Sequence, residues 1–121
     1  MRIVITALLL TSAAPVLAQS NSEIGYDRGS LGYEALVSNQ NDLALTQLTK
    51  SRAVPNTDPA KLINLGRAHQ RLGNIDLAEQ SFNAALNCKE EMDLLLADGR
   101  EMNSRKAAKL ALKELKAIRA Q

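Results

Sequence analysis

The sequence predicts a mainly α-helical protein made of stacked antiparallel helical hairpins, with a short β-hairpin before a C-terminal capping helix. Three observations support this fold class. Residues 25–58 align with residues 59–92 when Leu31 is placed on Leu65. Asp98-Gly99 is a strong turn signal. Residues 104–121 have helical periodicity. The segments that we distinguish are 1–18, 19–24, 25–58, 59–92, 93–103 and 104–121.

Residues 1–18 have the composition of a cleaved signal peptide. Arg2 gives a positive start, residues 3–10 are mostly apolar, and Val16-Leu17-Ala18 suits a cleavage site after Ala18. The apolar run is shorter than the roughly 20 residues of a membrane span, which disfavours an uncleaved anchor. We therefore expect a periplasmic or secreted protein with a flexible mature N-terminus at 19–24 and no stable membrane span after cleavage.

The composition argues against several functional classes. Tyr, Phe and Trp together make up only three of the 121 residues, which disfavours a nucleic-acid partner bound by base stacking. Cys88 is the only cysteine, so no disulfide framework exists, and His69 has no neighbouring ligand for zinc. No serine lies in a Gly-x-Ser-x-Gly turn of the kind that presents a nucleophile, and no Gly-rich phosphate loop is present. We expect no catalytic residues, no metal, no cofactor and no enzymatic activity.

Segment 59–92 carries small and apolar residues at helical spacing. The signature residues are Leu62, Leu65, Gly66 and His69 in a first helix, followed by Ala78, Phe82 and Ala85 in a second. Gly66 and Ala78 lack bulk, so the two helices are expected to touch there. Asp58-Pro59 is a good helix start, and Gly73 suits a left-handed helix end.

This spacing resembles the tetratricopeptide-repeat family, in which a large apolar residue, Leu-Gly and Tyr are followed by Ala and Phe. His69 stands in place of the tyrosine, and no proline closes the segment. Segment 25–58 is similar to a degenerate copy, because Leu31-Gly32, Ala44 and Leu48 align in one register with Leu65-Gly66, Ala78 and Phe82. We call this constant separation, from Leu31 to Leu65, the repeat offset.

The resemblance implies a protein–protein interaction scaffold or adaptor that binds an unknown protein or peptide partner. In this family the first helices of successive repeats line a concave groove. The groove residues implied here are Tyr26, Tyr33, Leu36, Ile63, Arg67 and Gln70. Two repeats are fewer than the roughly three that a stable stack needs, so the C-terminal elements or a second copy of the chain are expected to complete the fold.

Segment 93–103 has two interpretations. Met92, Leu94 and Leu96 alternate with other residues before Asp98-Gly99, a pattern that favours a two-stranded hairpin. The alternative is the first helix of a third helical pair, ended by Gly99.

Segment 104–121 is predicted to be an amphipathic helix with Ser104 as its cap. Its apolar face contains Ala108, Ala111, Leu112, Leu115 and Ile118 and is expected to cover the end of the stack. Its basic face contains Lys106, Lys109, Lys113 and Lys116. Residues 20–98 hold seven basic and eleven acidic side chains, whereas residues 99–121 hold seven and two. An alternative function is therefore electrostatic binding of an anionic surface, either membrane lipid or another polyanion, through the basic face.

Overall fold

The computed structural model describes residues 25–121, and the predicted signal peptide and residues 19–24 lie outside this part of the chain. The elements are α1 (Tyr33–Val37), α2 (Asn41–Lys50), α3 (Pro59–Arg71), α4 (Ile75–Leu86), β1 (Asp93–Leu95), β2 (Glu101–Asn103) and α5 (Ser104–Arg119). The fold is mainly helical with a small two-stranded antiparallel sheet. No helix within residues 25–121 is long and apolar enough to cross a bilayer.

Helices α3 and α4 form the longer helical pair, and local chemistry accounts for their ends. The Asp58 carboxylate caps α3 by accepting a hydrogen bond from the Lys61 amide at 3.1 Å, and Pro59 fits the first helical position. Between the helices, a Cβ atom on Gly66 would lie 2.5 Å from Cε1 of Phe82. Only glycine therefore permits this approach of α3 to the fully buried Phe82 ring.

The α1–α2 and α3–α4 turns share one hydrogen-bond pattern at the repeat offset. The Gln40 amide donates to the Ala35 carbonyl at 2.8 Å, and the Asn74 amide donates to the His69 carbonyl at 2.9 Å. The left-handed residue preceding each donor is Asn39 in the first turn (φ 56°) and Gly73 in the second (φ 81°). Both helices thus end in the same left-handed cap motif.

The first half departs from the expected pair of full helices. Helix α1 has only five residues, and residues 25–32 form turns instead of helix. Gly32 adopts a left-handed conformation (φ 60°) just before α1. It still approaches α2 closely, because a Cβ there would lie 3.0 Å from the Ala44 carbonyl oxygen and 3.3 Å from Cγ of Leu48.

The predicted β-hairpin is confirmed, and the alternative of a third helical pair is wrong. Leu94 pairs with Met102 in the antiparallel register, and the Leu96 amide donates to the Arg100 carbonyl at 2.8 Å. Gly99 has a positive φ of 86° at the turn. Leu94, Leu96 and Met102 pack on the main core, which gives this short sheet the support that an isolated hairpin lacks.

Helix α5 packs its small residues against α3 and α4. Ala107, Ala108, Ala111 and Leu115 are buried in the main core. The predicted cap is one residue late: the Asn103 side chain caps the helix by accepting from the Arg105 amide at 3.0 Å. Ser104 is instead fully buried, and its hydroxyl accepts a hydrogen bond from the Met92 amide.

Candidate functional site

The chain's own β-hairpin covers much of the face on which an open groove was expected. Leu36 and Ile63 are only 1% and 4% exposed. Ala97, after β1, packs on the core cluster that contains Leu36, and Leu96 belongs to the cluster that contains Ile63. Leu36 and Ile63 therefore offer little exposed surface on this face, because the chain packs its own later residues there, and their role in binding a partner remains a prediction.

The two predicted tyrosines also have intramolecular roles. The Tyr26 hydroxyl donates to Oδ2 of Asp58 at 2.9 Å, and its ring packs beside Leu31 and Val54. Burial, together with the Asp58 hydrogen bond and charge, raises the pKa of Tyr26 to about 12. Tyr33 is 9% exposed, and burial and the charge of Asp98 raise its pKa. Neither ring lines the cavity described next.

A cavity of about 260 Å³ lies between α3, the residues that follow β1 and the end of α5, and we name it the α3 pocket. It is lined by Ile63, Asn64, Arg67, Gln70, Arg71, Leu96, Ala97, Asp98 and Ile118. The structure thus brings together three of the predicted groove residues, Ile63, Arg67 and Gln70. Ile63 and Leu96 supply buried apolar surface, whereas Ile118 remains 39% exposed.

Two arginines one turn apart on α3 are held in place at the α3 pocket. Nη1 of Arg67 donates to Oε1 of Gln70 at 2.7 Å and to Oε2 of Glu114 at 2.9 Å. Nη1 of Arg71 donates to the Leu36 carbonyl at 2.6 Å. Burial lowers the pKa of Arg71, and the charge of Arg67 lowers it further. These bonds orient both guanidinium groups before any partner binds.

Asp98 adds a negative charge to the same cavity. Nε of Arg100 donates to Oδ2 of Asp98 at 2.8 Å, and the Arg100 amide donates to Oδ1 of Asp98 at 3.0 Å. The hydrogen bond from the Arg100 side chain is the main reason that the pKa of Asp98 is lowered. The α3 pocket therefore combines apolar walls with charges of both signs.

Sequence reasoning missed Arg71, Asp98 and Ile118 as pocket residues. Arg71 follows Arg67 by one helical turn, a spacing that places both on one helix face and could have revealed it. The sequence indicates Asp98 only as part of the turn, and Ile118 only as part of the packing face of α5. Their convergence depends on the docking of the hairpin and α5, which no local pattern encodes.

The four lysines of α5, Lys106, Lys109, Lys113 and Lys116, are all exposed, and we name them the basic strip. None of them forms an ion pair within residues 25–121. Arg119, at the end of the same helix, differs because it pairs with Asp76 at 2.6 Å and with Glu79 at 2.8 Å. Asp76 lies in the first turn of α4, so this ion pair connects α4 with the end of α5.

The side chains of His69 and Cys88, which could take part in chemistry, are both partly buried within the fold. His69 is half-buried, and burial lowers its pKa. The Cys88 thiol donates to the Thr57 and Ala84 carbonyls at 3.2 Å, and burial raises its pKa. Within the described range, 25–121, no group of three or more His, Cys, Asp or Glu residues is arranged to hold a metal ion.

The chain matches no protein-family model, no curated protein and no solved structure.

Proposed function

We propose that this chain is an exported, non-enzymatic protein–protein interaction module of tetratricopeptide type that binds a side chain of a partner in the α3 pocket. The observation that carries the proposal is the pocket itself, which has buried apolar walls and charged side chains at one place on α3. The tetratricopeptide assignment is supported by the repeated turn pattern and by the two glycine contacts, which recur at the repeat offset.

The size of the pocket favours an anchoring side chain over a small-molecule ligand. Its volume of about 260 Å³ is below the roughly 300–1,000 Å³ of typical small-molecule sites. Interfaces between proteins commonly depend on a few anchor side chains that fill such pockets. A partner residue with an apolar body would contact Ile63, Leu96 and Ile118 there.

The polar side chains of the pocket would then orient the partner's backbone or a charged end. Arg67 and Arg71 already hold fixed hydrogen bonds, so little side-chain freedom is lost on binding. Because the hairpin occupies the neighbouring surface of α3, the proposed mode is anchoring at one pocket, and a long peptide lying in an open groove is disfavoured.

The test compares the parent chain with Ile118→Gln as bait for proteins of the producing cell. Ile118 is 39% exposed, so glutamine should leave the fold intact while removing apolar surface from the pocket. The matched control is Leu43→Gln on α2, which is 44% exposed and does not line the pocket. Removing the exposed apolar surface of Ile118 from the pocket should weaken partner binding by about 1–2 kcal/mol, which is a fall in affinity of roughly five- to thirtyfold.

The expected result is a set of partners that the parent and Leu43→Gln capture and Ile118→Gln does not. Thermal melts of all three proteins establish that the fold is unchanged. If Ile118→Gln captures the same partners with the same affinity, the α3 pocket is not the binding site and the proposal fails.

A further inference from the structure

The basic strip is the most exposed side of α5. Its lysines are separated by three, four and three residues, so they form one row about 15 Å long at about 1.5 Å of rise per residue. At about 100° per residue, this row lies opposite the buried side that contains Ala108, Ala111 and Leu115. The packing of α5 on the core therefore directs the row away from the rest of the fold.

The charge of the basic strip is not balanced within the described part of the chain. Glu114 is the only acidic residue of α5, and it faces Arg67 at 2.9 Å and Arg100 at 4.0 Å, away from the row. None of the four lysines forms an ion pair within residues 25–121. Like charges at these spacings repel one another along a helix, so an external anionic surface would relieve the repulsion.

We propose that α5 binds the surface of an anionic lipid bilayer through Lys106, Lys109, Lys113 and Lys116. This activity is additional to partner binding at the α3 pocket and does not depend on it. Because the apolar side of α5 is buried in the core, the helix lies on the headgroups without inserting into the bilayer. The membrane association is therefore electrostatic, reversible and sensitive to salt.

The chemistry of the row favours lipid over nucleic acid. All four cations are lysines, which are hydrated point charges that suit a diffuse anionic surface better than the directed phosphate contacts of arginine. Helix α5 contains no aromatic residue on which a base could stack. A row of exposed cations along one side of a helix also fits a plane of headgroups. Duplex DNA is the competing ligand that the experiment has to exclude.

The experiment measures sedimentation of the full chain with vesicles of mixed phosphatidylglycerol and phosphatidylcholine, and with vesicles of phosphatidylcholine alone. Each lysine near an anionic surface contributes about fivefold in affinity, so changing all four to glutamine should weaken binding by two to three orders of magnitude. The apolar residues 3–10 are identical in every variant, so the part of the binding that is the same on both vesicle types is assigned to them and subtracted before the vesicle types and the variants are compared.

The matched control removes four exposed basic side chains elsewhere, in Arg28, Lys50, Arg52 and Lys89, also by change to glutamine. It has the same net charge as the strip variant and should bind the mixed vesicles much better than that variant does. A second control, Ile118→Gln, should bind vesicles like the parent, which separates this activity from the α3 pocket. Parent binding should also decrease steeply as salt is raised.

Three results would overturn the proposal. The parent could bind both vesicle types equally, the strip variant and the matched control could weaken equally, or the parent could bind duplex DNA more tightly than mixed vesicles. The first and third results need no variant, so the proposal remains testable even if the strip variant does not fold. We expect it to fold, because exposed charges contribute little to stability.

Discussion

The two halves of the repeat region, residues 25–58 and 59–92, reach the same helix-to-helix contact by different backbones. In the second half, Gly66 lies inside the 13-residue α3 and faces Phe82. In the first half, Gly32 precedes the five-residue α1 in a left-handed conformation and faces Leu48. In both halves, therefore, a glycine allows the backbone to lie close to the following helix. Only in the second half does that glycine lie within a helix.

The composition of the two halves explains this difference. The second half begins with Asp58-Pro59, a capping residue followed by a proline that fits the first helical turn. At the positions that align with Pro59 and Ile63, the first half has Gly25 and Gly29, both with positive φ. Glycine lowers helix stability by about 1 kcal/mol relative to alanine, so a helix over residues 25–31 has little intrinsic support.

The largest expected effect is at the contact of the second half. Gly66→Leu would drive a side chain into the fully buried Phe82 ring, and overpacking of this kind costs about 3 kcal/mol or more where the backbone cannot move. We expect loss of cooperative thermal unfolding, measured by circular dichroism. Ala78→Leu should act similarly, because Ala78 is also fully buried.

Two variants sharpen this test. Leu77 is the neighbour of Ala78 in the sequence, but its side chain is 46% exposed. The substitution Leu77→Ala should therefore leave the melting temperature almost unchanged. Gly66→Ala combined with Phe82→Leu imitates the smaller partner of the first half and should be more stable than Gly66→Ala alone. A Gly66→Leu protein that melts like the parent would show that the close contact is not needed.

The same contrast shows how far sequence reasoning reached. The α3–α4 pair, its turn and the β-hairpin were predictable because short-range signals specify each one: Asp58-Pro59, Gly73 and Asp98-Gly99. The short α1 was missed because the matching repeat register concealed two helix-breaking glycines. The site was only partly predictable, since Leu96 reaches Ile63 and Ile118 reaches α3 through docking across long sequence separations.

An intermediate effect is expected at the two turns. Gly73 adopts φ 81°, and a Cβ added there would meet no atom within 4 Å, so Gly73→Ala adds only the left-handed strain. That strain is about 1–2 kcal/mol. The melting temperature should fall by about 4–8 °C for each kcal/mol. Gly73→Asn, which copies Asn39 of the first turn, should cost less, because asparagine tolerates this conformation better.

Asn39→Gly is the reciprocal change and should alter stability by no more than a few tenths of a kcal/mol. Glycine removes the strain of the left-handed conformation, but the substitution also removes the 3.4 Å contact between Asn39 Oδ1 and Arg71. Equal melting temperatures for Gly73→Ala and Gly73→Asn would mean that the shared backbone conformation does not limit stability at this turn.

The smallest expected effect depends on pH and distinguishes His69 from Ala35, its counterpart in the first half at the repeat offset. Burial lowers the pKa of His69 below its ordinary value of 6.5, and the Nδ2 group of Asn74 lies 3.4 Å from its Nδ1. The unfolded chain thus binds the proton more readily than the folded chain. Stability should be constant above about pH 6.5 and decrease as the pH falls toward and through the lowered pKa of the folded state.

We expect the parent to have a slightly lower melting temperature at pH 5.5 than at pH 7.5, and His69→Gln to lose most of this difference. Aspartate and glutamate ordinarily titrate near 3.9 and 4.3, so this interval is dominated by the histidine. Ala35 cannot titrate, so the first half contributes no such dependence from this position. If His69→Gln retains the full decrease in melting temperature between the two pH values, another group causes the decrease. Protonation of His69 then contributes no more to the pH dependence of stability than Ala35 does at the aligned position.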